Sequence, residues 1–104
     1  MRKAAATVTA LLVAGGLGYA AYRWHKLSGY PKGFRTVFLG DSPEDVVRKM
    51  GRPDNVRSRP DWLWCTNQEC EQEFMYGQSI PPVWWVIGFN SEGRAVWMSK
   101  LDSP

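Results

Sequence analysis

The sequence predicts an α+β protein. An N-terminal transmembrane or signal helix precedes a small domain, in which one or two short helices pack on a three- to four-stranded antiparallel sheet. Three observations predict it. Ala4–Tyr22 is a run of 19 residues without a charge, close to the roughly 20 that span a bilayer as a helix. Gly40–Pro53 carries start and stop signals for a short helix. Near the C-terminus, two apolar runs flank Asn90-Ser91-Glu92-Gly93, the pattern of a hairpin.

The N-terminal run opens after Met1-Arg2-Lys3 and closes on Arg23-Trp24-His25-Lys26, with Tyr19, Tyr22 and Trp24 at its far end, where an aromatic belt sits at a membrane surface. An uncleaved anchor is the preferred reading. A cleaved signal peptide, cut near Gly18-Tyr19-Ala20, is the alternative. Gly15, Gly16 and Gly18 would allow close contact with another membrane helix. The expected organisation is an anchor or signal over 1–26, a linker over 27–37 marked by Gly29, Pro31 and Gly33, and a domain over 38–104.

The short helix is punctuated at both ends. Asp41 or Ser42 can cap its start, and Pro43 suits the first helical position because its missing N–H would be unpaired there anyway. Glu44 and Asp45 in the first turn, and Arg48 and Lys49 in the last, complement the helix dipole. Gly51 and Pro53 end it. Val46, Val47 and Met50 form its apolar stripe.

Beyond it, Asp54–Pro60 reads as a polar loop. Trp62-Leu63-Trp64-Cys65 reads as a strand start, Thr66–Glu69 as a turn, and Cys70–Tyr76 as a second strand with Glu71 and Glu73 facing solvent. Gly77–Pro82 is a loop. Val83–Phe89 and Arg94–Lys100 pair across the four-residue turn. With Phe89 opposite Arg94, Ile87 faces Val96 and Trp85 faces Met98 on the side that receives the helix. Val86 then faces Trp97, and Trp84 faces Ser99, on the other side. That second side is too apolar for an open sheet face. Either another segment of the chain covers it, or Trp84, Val86 and Trp97 bind a partner.

Cys65 and Cys70 enclose four residues at the expected hairpin turn. A disulfide there is geometrically plausible, with two buried free thiols as the alternative. A disulfide beside an export-type N-terminus implies an oxidising compartment, so the domain is expected outside the cytoplasm. The pair does not make a metal site, because the sole histidine, His25, lies beside the apolar run and a zinc site needs four ligands.

The net charge of +3 resides at the N-terminus: residues 1–26 carry four basic and no acidic residues, and residues 27–104 carry nine basic against ten acidic. No basic stripe suits nucleic acid. There is no nucleophile elbow, no glycine-rich phosphate loop and no carboxylate cluster with metal spacing. The expectation is a non-enzyme with no cofactor, no metal and no small-molecule substrate.

Two stretches together resemble the SmpA/OmlA family, the small BamE-like proteins of the outer-membrane β-barrel assembly machinery. One is Gly40-x-Ser42-x-x-x-Val46-x-x-x-Met50-Gly51-x-Pro53. The other is Val86-Ile87-Gly88-Phe89-Asn90-Ser91-Glu92-Gly93-Arg94-Ala95. The resemblance covers about residues 38–100 and implies a compact α+β domain with a non-catalytic role in envelope assembly or in binding an envelope or membrane protein. Family members are typically lipoproteins. This chain has no cysteine directly after the apolar run, where lipid would be attached, so residues 4–22 are expected to hold it at the bacterial inner membrane with the domain in the periplasm, or to be removed to leave a soluble periplasmic protein. A single-pass accessory subunit of a membrane complex and a secreted enzyme inhibitor are the alternative functions.

Overall fold

The computed structural model describes residues 2–102, with side chains described from residue 16 onward. A long helix α1 (Arg2–Phe34) and a short helix α2 (Pro43–Met50) precede four strands, β1 (Asn55–Ser58), β2 (Gln72–Ser79), β3 (Pro82–Phe89) and β4 (Ala95–Asp102). The strands form one antiparallel meander in the order β1-β2-β3-β4. The protein is thus α+β, two helices on a four-stranded antiparallel sheet. Among the described residues, no helix is long and apolar enough to cross a membrane. Most of the expected anchor falls on residues 4–15, whose side chains lie outside those described.

Helix α2 has the ends its sequence specifies. Ser42 is the cap: its side chain accepts from the Asp45 amide at 3.1 Å, and the Asp45 carboxylate accepts from the Ser42 amide at 3.2 Å, the reciprocal pair of a capping box. Asp41 instead accepts from Lys49 Nζ at 2.7 Å. Gly51 closes the helix at φ +87°, a conformation that favours glycine, and its amide donates to the Val47 carbonyl. Val46 and Met50 are buried. Val47, expected in the same stripe, is exposed.

Residues 27–34, expected as a linker, continue α1. Pro31 removes one helical hydrogen bond, but packing on both sides of it carries the helix through. Tyr30 is fully buried, with its ring edge-on to Tyr76 at 5.3 Å and to Trp85 at 5.8 Å. Leu27 and Phe34 flank it. Gly33 lies where α1 crosses α2: a Cβ there would fall 2.8 Å from the Lys49 carbonyl oxygen. The core formed by both helices and the inner sheet face includes Tyr30, Val37, Val46, Met50, Phe74, Tyr76, Trp85, Ile87, Phe89 and Ala95.

The β3–β4 pairing differs from the expected register. Phe89 lies opposite Ala95 and Gly88 opposite Trp97, so Val96 is an extra residue, a β-bulge. Beyond it Ile87 faces Met98, Trp85 faces Lys100, Val86 faces Ser99 and Trp84 faces Leu101. Ile87, Trp85 and Met98 still join the helix-side core. Val96 does not; it packs on the opposite side with Leu63, Cys65 and Cys70. Strand β1, expected as loop, pairs along the β2 edge. Trp62–Cys65, expected as strand, belongs to a loop.

Candidate binding surface

The loop between β1 and β2 lies over the outer face of the sheet, and three anchors hold it there. Cys65 and Cys70 form a disulfide, both residues buried. It closes a loop across the sheet and not the turn of a hairpin. Its sulfurs occupy the space above Gly88: a Cβ there would fall 2.5 Å from Cys70 Sγ and 2.9 Å from Cys65 Sγ. Glu73 is the second anchor. Read from the alternation of β2 as a solvent-facing residue, it is fully buried. Its two carboxylate oxygens accept from the consecutive amides of Trp64 and Cys65, each at 3.1 Å. The third anchor is Arg59, whose Nε donates to the Cys70 carbonyl at 2.8 Å. Asn67 adds a bond from Nδ2 to the carbonyl of the bulge residue Val96 at 3.3 Å.

This arrangement decides the fate of the outer apolar face. Val86 is fully buried; of the two expected outcomes for this face, cover by the chain itself holds at Val86. Trp97 is half-buried against the cluster of Leu63, Cys65 and Cys70. Trp84 remains half-exposed. The segment of the chain that covers most of that face is this loop.

The same loop puts other aromatic surface outside. Trp62 and Trp64 stack edge-to-face with ring centroids 4.7 Å apart, and they are 63% and 42% exposed. Trp64 and Trp84 line one groove of about 640 Å³ with Pro82 and Leu101; Ser79, Lys100 and Asp102 supply its polar rim. Lys100 Nζ also lies 5.6 Å from the Trp85 ring centroid. Large rigid aromatics beside a few polar groups are the composition that binding hot spots favour. The arrangement can bind, with Lys100 and Asp102 paired at 3.6 Å on the rim of the groove. Sequence reasoning placed Trp84 here and missed Trp62 and Trp64, because four aromatic and apolar residues in a row read as the start of a strand. The nearby Pro60 and Cys65 were the available signs of a stapled loop.

A second polar cluster joins α1 to the sheet. The Asp54 carboxylate accepts from Tyr30 Oη at 2.6 Å, Lys26 Nζ at 3.0 Å, Arg23 Nη1 at 3.2 Å and the Gly77 amide at 2.9 Å. Arg23 Nη2 also donates to the Gly77 carbonyl at 3.1 Å. Burial pushes the Asp54 carboxyl up, but these four donors outweigh it and hold it below the usual carboxylate range. Burial, reinforced by the bond to Asp54, pushes the Tyr30 hydroxyl well above its ordinary value. Every partner is consumed within the fold, so this cluster positions the helix. Comparison with protein-family models, curated proteins and solved structures gives no match.

Proposed function

We propose that this protein is a non-catalytic binding or scaffolding component of the cell envelope, held at the inner membrane through residues 4–22, with its C-terminal domain in the periplasm. The observation that carries this reading is the stapled loop. A disulfide and a buried carboxylate fix Trp62 and Trp64 in exposed positions beside Trp84, where nothing in the core requires them. Exposed tryptophan on a rigid support offers contact area at little entropic cost, and the disulfide suits an oxidising compartment. The α+β arrangement agrees with what the SmpA/OmlA resemblance implies. Trp84 is retained from the sequence-based surface. Trp97 contributes at its margin, and Val86 supports it from beneath.

Copurification from native membranes tests this. The intact chain should enrich an envelope protein over a Trp62→Ser/Trp64→Ser chain and over an anchor-only control. Equal recovery by all three contradicts the reading.

A second reading draws on one observation: Gly16 and Gly18 lie on open helix surface, where a Cβ would meet nothing within 4 Å beyond the helix's own backbone, among the described residues. They leave room for another helix, as expected of an accessory subunit in a membrane complex. In that case Gly16→Leu/Gly18→Leu should abolish copurification and the tryptophan substitutions should not.

A further inference from the structure

The turn joining β2 and β3 is Ser79-Ile80-Pro81-Pro82. Hairpin tips favour Gly, Asn, Asp and Ser, whose conformations and local hydrogen bonds suit a solvated turn. This one instead presents Ile80, 88% exposed, beside two exposed prolines. Nothing in the domain's own packing accounts for it.

Its location suggests an explanation. The hairpin runs along α1 toward the helix N-terminus: Tyr30 meets Tyr76 and Trp85, Arg23 reaches Gly77, and Ala20 and Trp24 line a groove of about 530 Å³ with Pro81 and Val83. The tip therefore lies level with the end of the uncharged run Ala4–Tyr22. At that level Tyr19, Tyr22 and Trp24 are exposed. At 3.6 residues per turn Tyr19 and Tyr22, three apart, share one side of the helix and Trp24 points to another, so no single protein groove would accept all three. A bilayer surface surrounds a helix and would.

We propose that Ile80, Pro81, Trp24, Tyr22 and Tyr19 form one membrane-surface footprint, in which the hairpin tip dips into the headgroup region beside the helix where it leaves the bilayer. This rests on the anchoring of residues 4–22 proposed above. The tip gives the domain a second point of lipid contact. With Asp54 fixing the helix to the sheet, it also sets the height and tilt of the domain, and so the direction that Trp62, Trp64 and Trp84 face.

The test uses the full chain in vesicles of phosphatidylethanolamine and phosphatidylglycerol. With the buried disulfide intact, Ile80→Cys supplies one reactive thiol for an environment-sensitive fluorophore. Leu12→Cys reports on the anchor. Glu92→Cys reports on the opposite end of the sheet, one strand length or roughly 25 Å away. Interfacial insertion reaches about 5–10 Å below the headgroups. A lipid spin label at a shallow acyl position should therefore quench residue 80 several-fold more than residue 92, with blue-shifted emission. If residue 12 is quenched by deep spin labels but residue 80 behaves like residue 92, the footprint is overturned and the anchor stands. If residues 12 and 80 both resemble residue 92, the anchor falls and the footprint with it. If the signal at residue 80 follows the chain-to-lipid ratio and not the spin label, the tip contacts a second copy and the proposal fails.

Discussion

The Tyr30 hydroxyl donates to the Asp54 carboxylate across 2.6 Å. That bond ties a residue of the long helix to the short segment between α2 and β1, and Asp54 passes the connection to the sheet through the Gly77 amide at 2.9 Å. Helix and domain are joined by a buried aromatic core with a polar bond at its margin. Ala20–Ser28 therefore holds a fixed direction relative to the sheet.

Tyr30→Phe keeps the ring packing and removes the bond. A hydrogen bond to a charged group contributes about 1.5–3 kcal/mol. Asp54 keeps three other donors, so the expected loss is near the lower end, about 1.5 kcal/mol. Chemical denaturation followed by tryptophan fluorescence should show a lower midpoint with an unchanged slope.

The acid limb of the stability curve should report Asp54. Its carboxyl is held below the usual range in the folded state, so its contribution is complete above the unfolded value of about 4 and is lost as pH falls through the lower folded value. Asp41, bonded by Lys49 and the Phe38 amide, and Asp45, bonded by Ser42, are also lowered and act in the same window. Stability should be flat from neutral pH down to about pH 5 and fall below it. Asp54→Asn should be less stable at neutral pH and show a shallower acid decline. An unchanged acid slope in Asp54→Asn would assign the decline to the other carboxylates.

Gly88 has no room for a side chain. A Cβ would overlap both sulfurs of the disulfide. Gly88→Ala should cost about 1–3 kcal/mol by overpacking. Removing the bridge with Cys65→Ser/Cys70→Ser should cost about 2 kcal/mol, the loop-closure value for so short a loop. The two changes share one contact, so their effects should not add: Gly88→Ala should be milder without the disulfide. A double-mutant cycle by denaturation measures this coupling.

Local signals wrote much of the fold. The caps of α2 lie within a few residues of one another, so Ser42, Pro43 and Gly51 could be read directly. The Val83–Phe89 and Arg94–Lys100 runs identified the hairpin. Its register was not legible, because the bulge at Val96 arises from the pairing itself and from the loop bonded to the Val96 carbonyl. Strand β1 was missed because Asn55-Val56-Arg57-Ser58 has little strand character of its own and acquires it by pairing with β2. Gly29, Pro31 and Gly33 read as helix breakers. What overrides them is long-range, the burial of Tyr30 among Tyr76 and Trp85 and the close crossing at Gly33. Glu73 read as solvated because strand alternation cannot reveal a loop folding back to donate two amides to it. The candidate surface was half legible for the same reason. Trp84 belongs to a recognisable strand, whereas Trp62 and Trp64 owe their positions to that aperiodic loop.

The most direct test of the central claim, that the stapled tryptophan surface is where an envelope partner is met, is site-specific photocrosslinking from the full chain in native membranes. A crosslinking residue in place of Trp64, compared with one in place of Glu92 at the far end of the sheet, should give a discrete adduct with an envelope protein from the first position and none from the second. Adducts of equal yield from both positions, or an adduct from residue 92 alone, would contradict the account.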